Sequence, residues 1–106
     1  MKETGYIMKR YYYKSPSVIS KRMAEEVVLA IIRGKVGDLE KVYTLSGVGA
    51  RIWELIDGSR NLEDIKKIII KEFTVESQEV ENDIISLFRQ LEKNDCVRIQ
   101  KQKRSR

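Results

Sequence analysis

Apolar residues change their spacing once along this chain, at Ser46, and that change divides it into a β part and a helical part. Before it, Val27–Arg33 is β-branched and almost continuously apolar, as a central strand under a layer of helices would be. Val18–Arg22 reads as a short strand on one side of it. Lys41–Leu45, alternating charged, apolar, aromatic, polar and apolar, reads as a third. Gly34-Lys35-Val36-Gly37-Asp38 supplies the turn between the last two. Three short strands are marginal alone and need helices over one face.

After Ser46 the period is helical. Ser46 is placed to cap a helix carrying Val48, Ile52, Leu55 and Ile56, with Gly58 as its stop and Trp53 beside the stripe as a core plug. Asn61 caps a second helix, with Asp64 three residues on, and Leu62, Ile65, Ile68, Ile69 and Phe73 share one face. A third helix spans Ser77–Lys93 with a seam of Val80, Ile84, Leu87 and Leu91. Ile85 and Phe88 sit one position round from that seam and widen the apolar face. Val97 and Ile99 alternate with Arg98 and Gln100 as a terminal strand. Residues 1–16, where Tyr11-Tyr12-Tyr13 sits among lysines ahead of Ser15-Pro16-Ser17, have no usable period and read as a flexible basic arm, mobile or loosely docked. The expected division is arm 1–16, one domain over 17–100, and a basic tail 101–106.

With 106 residues, the chain holds one core. Its net charge of +5 is a property of the ends: the arm carries +3 (Lys2, Lys9, Arg10 and Lys14 against Glu3) and the tail +4 (Lys101, Lys103, Arg104, Arg106), leaving −2 for 17–100. That argues against nucleic acid, although Lys66, Lys67 and Lys71 share the second helix, where Glu63, Asp64 and Glu72 dilute them. No apolar run approaches the roughly 18 residues that span a bilayer, and Met1–Arg10 lacks the apolar core of a secretory signal, so a cytoplasmic location is expected. Cys96 is the only cysteine and reads as a small core residue. The absence of histidine removes Ser-His and Cys-His nucleophile pairs and imidazole metal ligands. Gly47-Val48-Gly49 lacks the third glycine and the βαβ setting of a dinucleotide fingerprint. Glu54, Glu63, Glu72 and Glu79 fall on solvent faces, and Asp83, beside the seam, reads as a cap or an ion-pair member. No general acid and base are assembled, and the expectation is a binding domain without cofactor.

If the strands form a meander, Lys41–Leu45 lies at an edge whose free N–H and C=O groups accept an extended peptide. The opposing possibility is that Phe88 is core and that the arm or Val97–Gln100 closes the edge.

Tyr43-Thr44-Leu45-Ser46 followed by Gly49-Ala50-Arg51-Ile52-Trp53-Glu54-Leu55-Ile56-Asp57-Gly58 resembles the PqqD-like family, as do Asn61-Leu62-Glu63-Asp64-Ile65, Phe73-Thr74-Val75, and Asp83-Ile84 leading to Leu87-Phe88 and Leu91. The similarity covers roughly residues 17 to 100. Leu45-Ser46 departs from the usual Leu-Asn, but both residues cap helices. The resemblance implies an α+β, winged helix-turn-helix-like fold, a three-stranded antiparallel sheet followed by three helices (βββααα). It implies a peptide chaperone that takes the leader of a ribosomally made precursor as an added strand and delivers it to a radical SAM or other modifying enzyme, in pyrroloquinoline quinone (PQQ) or other modified-peptide biosynthesis. Mapped by position, the strand side is Lys41, Val42, Tyr43, Thr44 and Leu45, and the helix side Glu81, Ile85, Phe88, Arg89 and Glu92. Winged-helix nucleic-acid binding and a domain-swapped dimer through the same edge are the competing readings.

Overall fold

The computed structural model describes residues 2–33 and 38–101. The predicted turn over residues 34–37 and the tail beyond Lys101 lie outside the described residues. The elements are α1 (Lys2–Met8), β1 (Tyr11–Lys14), β2 (Val18–Met23), β3 (Glu26–Arg33), β4 (Asp38–Ser46), α2 (Gly47–Leu55), α3 (Leu62–Glu72), α4 (Ser77–Lys93) and β5 (Val97–Gln100).

The three predicted strands form an antiparallel sheet in the order β2-β3-β4. Its register explains the apolar run in β3. Val27, Leu29 and Ile31 pair with Leu45, Tyr43 and Lys41, and all three are buried, so this face lies under the helices. Val28 and Ala30 face the other way and pair with Thr44 and Val42 on an uncovered side, where Ile19 and Val42 remain exposed. Met23 pairs with Glu26 across the two-residue turn Ala24-Glu25, and Ala24 adopts φ 59°. That left-handed conformation suits glycine better than alanine.

The helices match the expected three. α2 begins after Ser46, which is extended but makes no side-chain cap; Gly58, at φ 80°, lies in the loop beyond its end. In that loop the Asp57 carboxylate accepts from the amides of Ser59 and Arg60 (2.8 and 3.2 Å). At α3 the Asn61 side chain accepts from the Asp64 amide (2.8 Å) and the Asp64 carboxylate accepts from the Asn61 amide (3.0 Å). This reciprocal box satisfies two otherwise orphaned donors, an arrangement worth about 1 kcal/mol. A bidentate pair from Arg51 to Glu72 (2.7 and 2.8 Å) clamps α2 to α3. Trp53 is a core plug, as expected, though its indole N–H has no partner among the described residues.

The largest difference from the sequence reading is the arm. Residues 2–14 form α1 and β1, and β1 pairs antiparallel with β5 from Tyr11↔Gln100 to Lys14↔Val97. The Leu62 amide donates to the Arg10 carbonyl and the Ser15 amide to the Cys96 carbonyl, fixing both ends of β1. Ile7, Met8 and Tyr12 are buried in the common core, and α1 packs on α3 and α4. The cause is mutual need: Phe88 would lose the ring of Tyr12, and the backbone of β5 would lose its only partner strand among the described residues. Cys96 is fully buried beyond the end of α4, as expected.

Candidate functional site

Among the described residues β4 pairs with β3 alone, so alternate peptide groups along Lys41–Leu45 point away from any described partner strand. Neither the arm nor β5 closes this edge, because they pair with each other. Side chains alternate across it: Lys41, Tyr43 and Leu45 share the helix-covered face, while Val42 and Thr44 share the open one.

A narrow cleft of about 30 Å³ runs between this edge and α4, lined by Tyr43 and Leu45 from the strand and by Leu87, Gln90, Leu91 and Asn94 from the helical side. Lys41 closes one end. Its Nζ donates to Asn94 Oδ1 (3.3 Å) and stands 5.8 Å from the centre of the Tyr43 ring. At this volume the cleft admits a large side chain only if its walls move apart. Asp83 lies one turn before Leu87, exposed and without an ion pair among the described residues, so the cap or pair expected for it is not formed.

The strand side of the expected site is therefore brought together, but the helix side is not. Phe88 is core: its ring lies 4.8 Å from that of Tyr12 at 47°. Glu92 accepts from the Tyr12 hydroxyl (3.2 Å), and Arg10 approaches the same hydroxyl (3.4 Å). Burial raises the Tyr12 pKa above the ordinary phenol value, against the pull of Arg10. Glu81 faces α3, accepting from Lys66 Nζ (2.9 Å). Ile85 and Arg89 line a shallow depression elsewhere on α4, with Asn82, Ser86 and Gln90. The seam of α4 is Val80, Ile84, Ile85, Phe88 and Leu91, and Leu87 is left half-open beside β4. The missing cause was β1. With Tyr12 on its far flank, α4 buries Phe88 and turns Leu87 toward the sheet edge.

The basic residues of α3 do not make a groove-reading face. Lys66 is largely covered and bridges Glu63 (3.2 Å) and Glu81 (2.9 Å), and the Glu81 hydrogen bond holds its pKa up. Lys67 and Lys71 flank the apolar Ile68 and Ile70. Among the described residues, no helix is long and apolar enough to cross a membrane.

The family model described as Coenzyme PQQ synthesis protein D (PqqD) matches residues 25–97. Among solved structures the chain is similar to TbiB1 in complex with the TbiA(β) leader peptide, with 29% identity, a TM-score of 0.68, and coverage of 80% of this chain and 93% of that one. No curated protein matches the chain.

Proposed function

The chain belongs to the PqqD family, and from that premise we propose that it binds the leader segment of a ribosomally made precursor peptide as an added antiparallel strand on β4. The bound peptide is handed to a modifying enzyme, a radical SAM protein or another maturase of PQQ-like or other modified-peptide biosynthesis. The chain itself supplies recognition, not catalysis, and works in the cytoplasm. The observation that carries this reading is the unpaired edge Lys41–Leu45 lying against the Tyr43, Leu45, Leu87 and Leu91 cleft. That a similar solved structure holds a leader peptide supports it. Main-chain pairing along β4 gives affinity, and the cleft selects one side chain of the incoming strand.

The test is an NMR titration with the leader segment of a short precursor peptide, sought among the genes that neighbour this one. Amide shifts are expected at Val42–Leu45 and from Leu87 to Asn94. Burying a large apolar side chain is worth about 1.5–3 kcal/mol. Leu87→Ser, which removes much of the cleft wall, is thus expected to weaken binding about tenfold, at a stability cost of about 1–2 kcal/mol because Leu87 is partly buried against the core. Shifts confined to α3, or to the β1–β5 ribbon, would overturn the proposal.

A further inference from the structure

The flank of α4 opposite the β4 cleft leads to a second concave surface of different chemistry. Between α1 and the end of the β1–β5 ribbon lies a cleft of about 350 Å³, lined by Tyr6, Lys9, Arg10, Tyr11, Ile99 and Lys101. Two of its walls are large apolar side chains left in water: Tyr6 is 72% exposed and Ile99 41%. Three are cations. The Arg10 guanidinium stands 6.0 Å from the centre of the Tyr6 ring and donates to the Tyr12 hydroxyl, which itself donates to Glu92. Lys9 and Lys101 are exposed, and among the described residues neither has a carboxylate within ion-pairing distance. A cleft joining exposed aromatic surface to unneutralised cations is a place for a carboxylate flanked by an apolar group.

Position decides whose carboxylate. A strand added to β4 meets α4 on its Leu87, Gln90 and Asn94 flank, whereas this cleft is reached from the Phe88 and Glu92 flank through Tyr12. One occupant does not fill both. Charge arrangement decides against nucleic acid: phosphate tracking needs a stripe of cations, and here three cations gather at one apolar-walled cleft beside a domain that is otherwise slightly acidic.

We propose that this cleft docks an acidic segment of the modifying enzyme, one that sets Glu or Asp carboxylates on Lys9, Arg10 and Lys101 and an adjoining apolar side chain between Tyr6 and Ile99. The enzyme as partner rests on the function proposed above; the cleft's preference for an acidic–apolar segment does not. The peptide then occupies one flank of α4 and its recipient the other, and both are held at once.

The probe is an acetylated synthetic peptide alternating Glu with Phe and Leu, set against the same peptide with Gln for every Glu and against a short DNA duplex. Titration of the full chain is expected to shift the amides of Tyr6–Tyr11 and Ile99–Lys101. The Gln peptide should bind at least tenfold more weakly. Lys9→Glu with Lys101→Glu, two exposed positions that leave Arg10 and Tyr12 in place, should weaken the acidic peptide about tenfold while leaving leader binding at β4 unchanged. Equal binding of the Gln peptide, or acidic-peptide shifts elsewhere, overturns the proposal. So does tighter binding of DNA at the same amides. Loss of leader binding in the titration described above, with the acidic peptide still seated here, would remove the function proposed for β4 and leave the chemistry of this cleft standing.

Discussion

Replacing Tyr12 with alanine tests whether the amino-terminal segment belongs to the fold. Tyr12 is 2% exposed, stacks on Phe88 at 4.8 Å, and donates a hydrogen bond to Glu92. Removing a buried aromatic ring costs about 3–5 kcal/mol, of which the ring–ring contact supplies about 0.5–1.5. The hydroxyl separates cleanly: Tyr12→Phe keeps the ring, and because Glu92 is exposed and can turn to water, its loss should cost only about 1 kcal/mol. Domains of this size are stable by about 5–15 kcal/mol, so Tyr12→Ala removes about a fifth of the total or more. At about 4–8 °C per kcal/mol, the melting temperature should fall by roughly 12–40 °C. Urea unfolding followed by the fluorescence of Trp53, the only tryptophan, gives both values. The folded-state emission of Tyr12→Phe should match the parent. If Tyr12→Ala lies within about 1 kcal/mol of the parent, β1 does not cover Phe88 and the seam assigned to α4 is wrong.

Two further changes probe local chemistry. Lys14 lies half-buried 5.1 Å from the centre of the Trp53 ring, and burial holds its pKa below the ordinary lysine value despite Glu54 and Asp57. The unfolded chain therefore binds more protons between the folded and unfolded values, and stability rises with pH across that window. Lys14→Met should stabilise the protein at neutral pH, and thermal melts should show the advantage shrinking as pH climbs toward the ordinary lysine value; an advantage that grows with pH would contradict this. Ala24→Gly, at a left-handed φ of 59°, should raise the urea midpoint by an amount worth about 0.5–1 kcal/mol, and a lowered midpoint would show that Ala24 is unstrained.

What could be read from the chain follows how locally each element is determined. α3 was legible because Asn61 and Asp64 satisfy each other within one turn, and α4 because its apolar period runs unbroken from Val80 to Leu91. The course of β4 was legible from alternation in Lys41–Leu45. β1 was not, because four residues rich in tyrosine carry little signal without the partner strand, which stands at the other end of the sequence. α1 has Gly5 in its middle and becomes stable through Ile7 and Met8 in the core, a tertiary effect that local propensity does not contain. Where the α4 side chains lie was not legible for the same reason. Without Tyr12, nothing in the period of α4 distinguishes Phe88 as interior from Leu87 as interior, and one position of rotation exchanges core for cleft.

The ladder between β1 and β5 also sets a schedule. Tyr11 and Gln100 pair across a sequence separation of 89 residues, so the strand that seats Tyr12 waits until everything between them has been synthesised. The β2–β3–β4 meander and the three helices after it have neighbours close in sequence and can form earlier. Phe88 and Cys96 then stay uncovered until the ends meet, and a nascent chain stalled before Val97 would present that surface to chaperones. Linking β5 directly to β1 and opening the chain between β3 and β4 would reverse this order, bringing the β1–β5 pairing first and leaving the β3–β4 pairing until last.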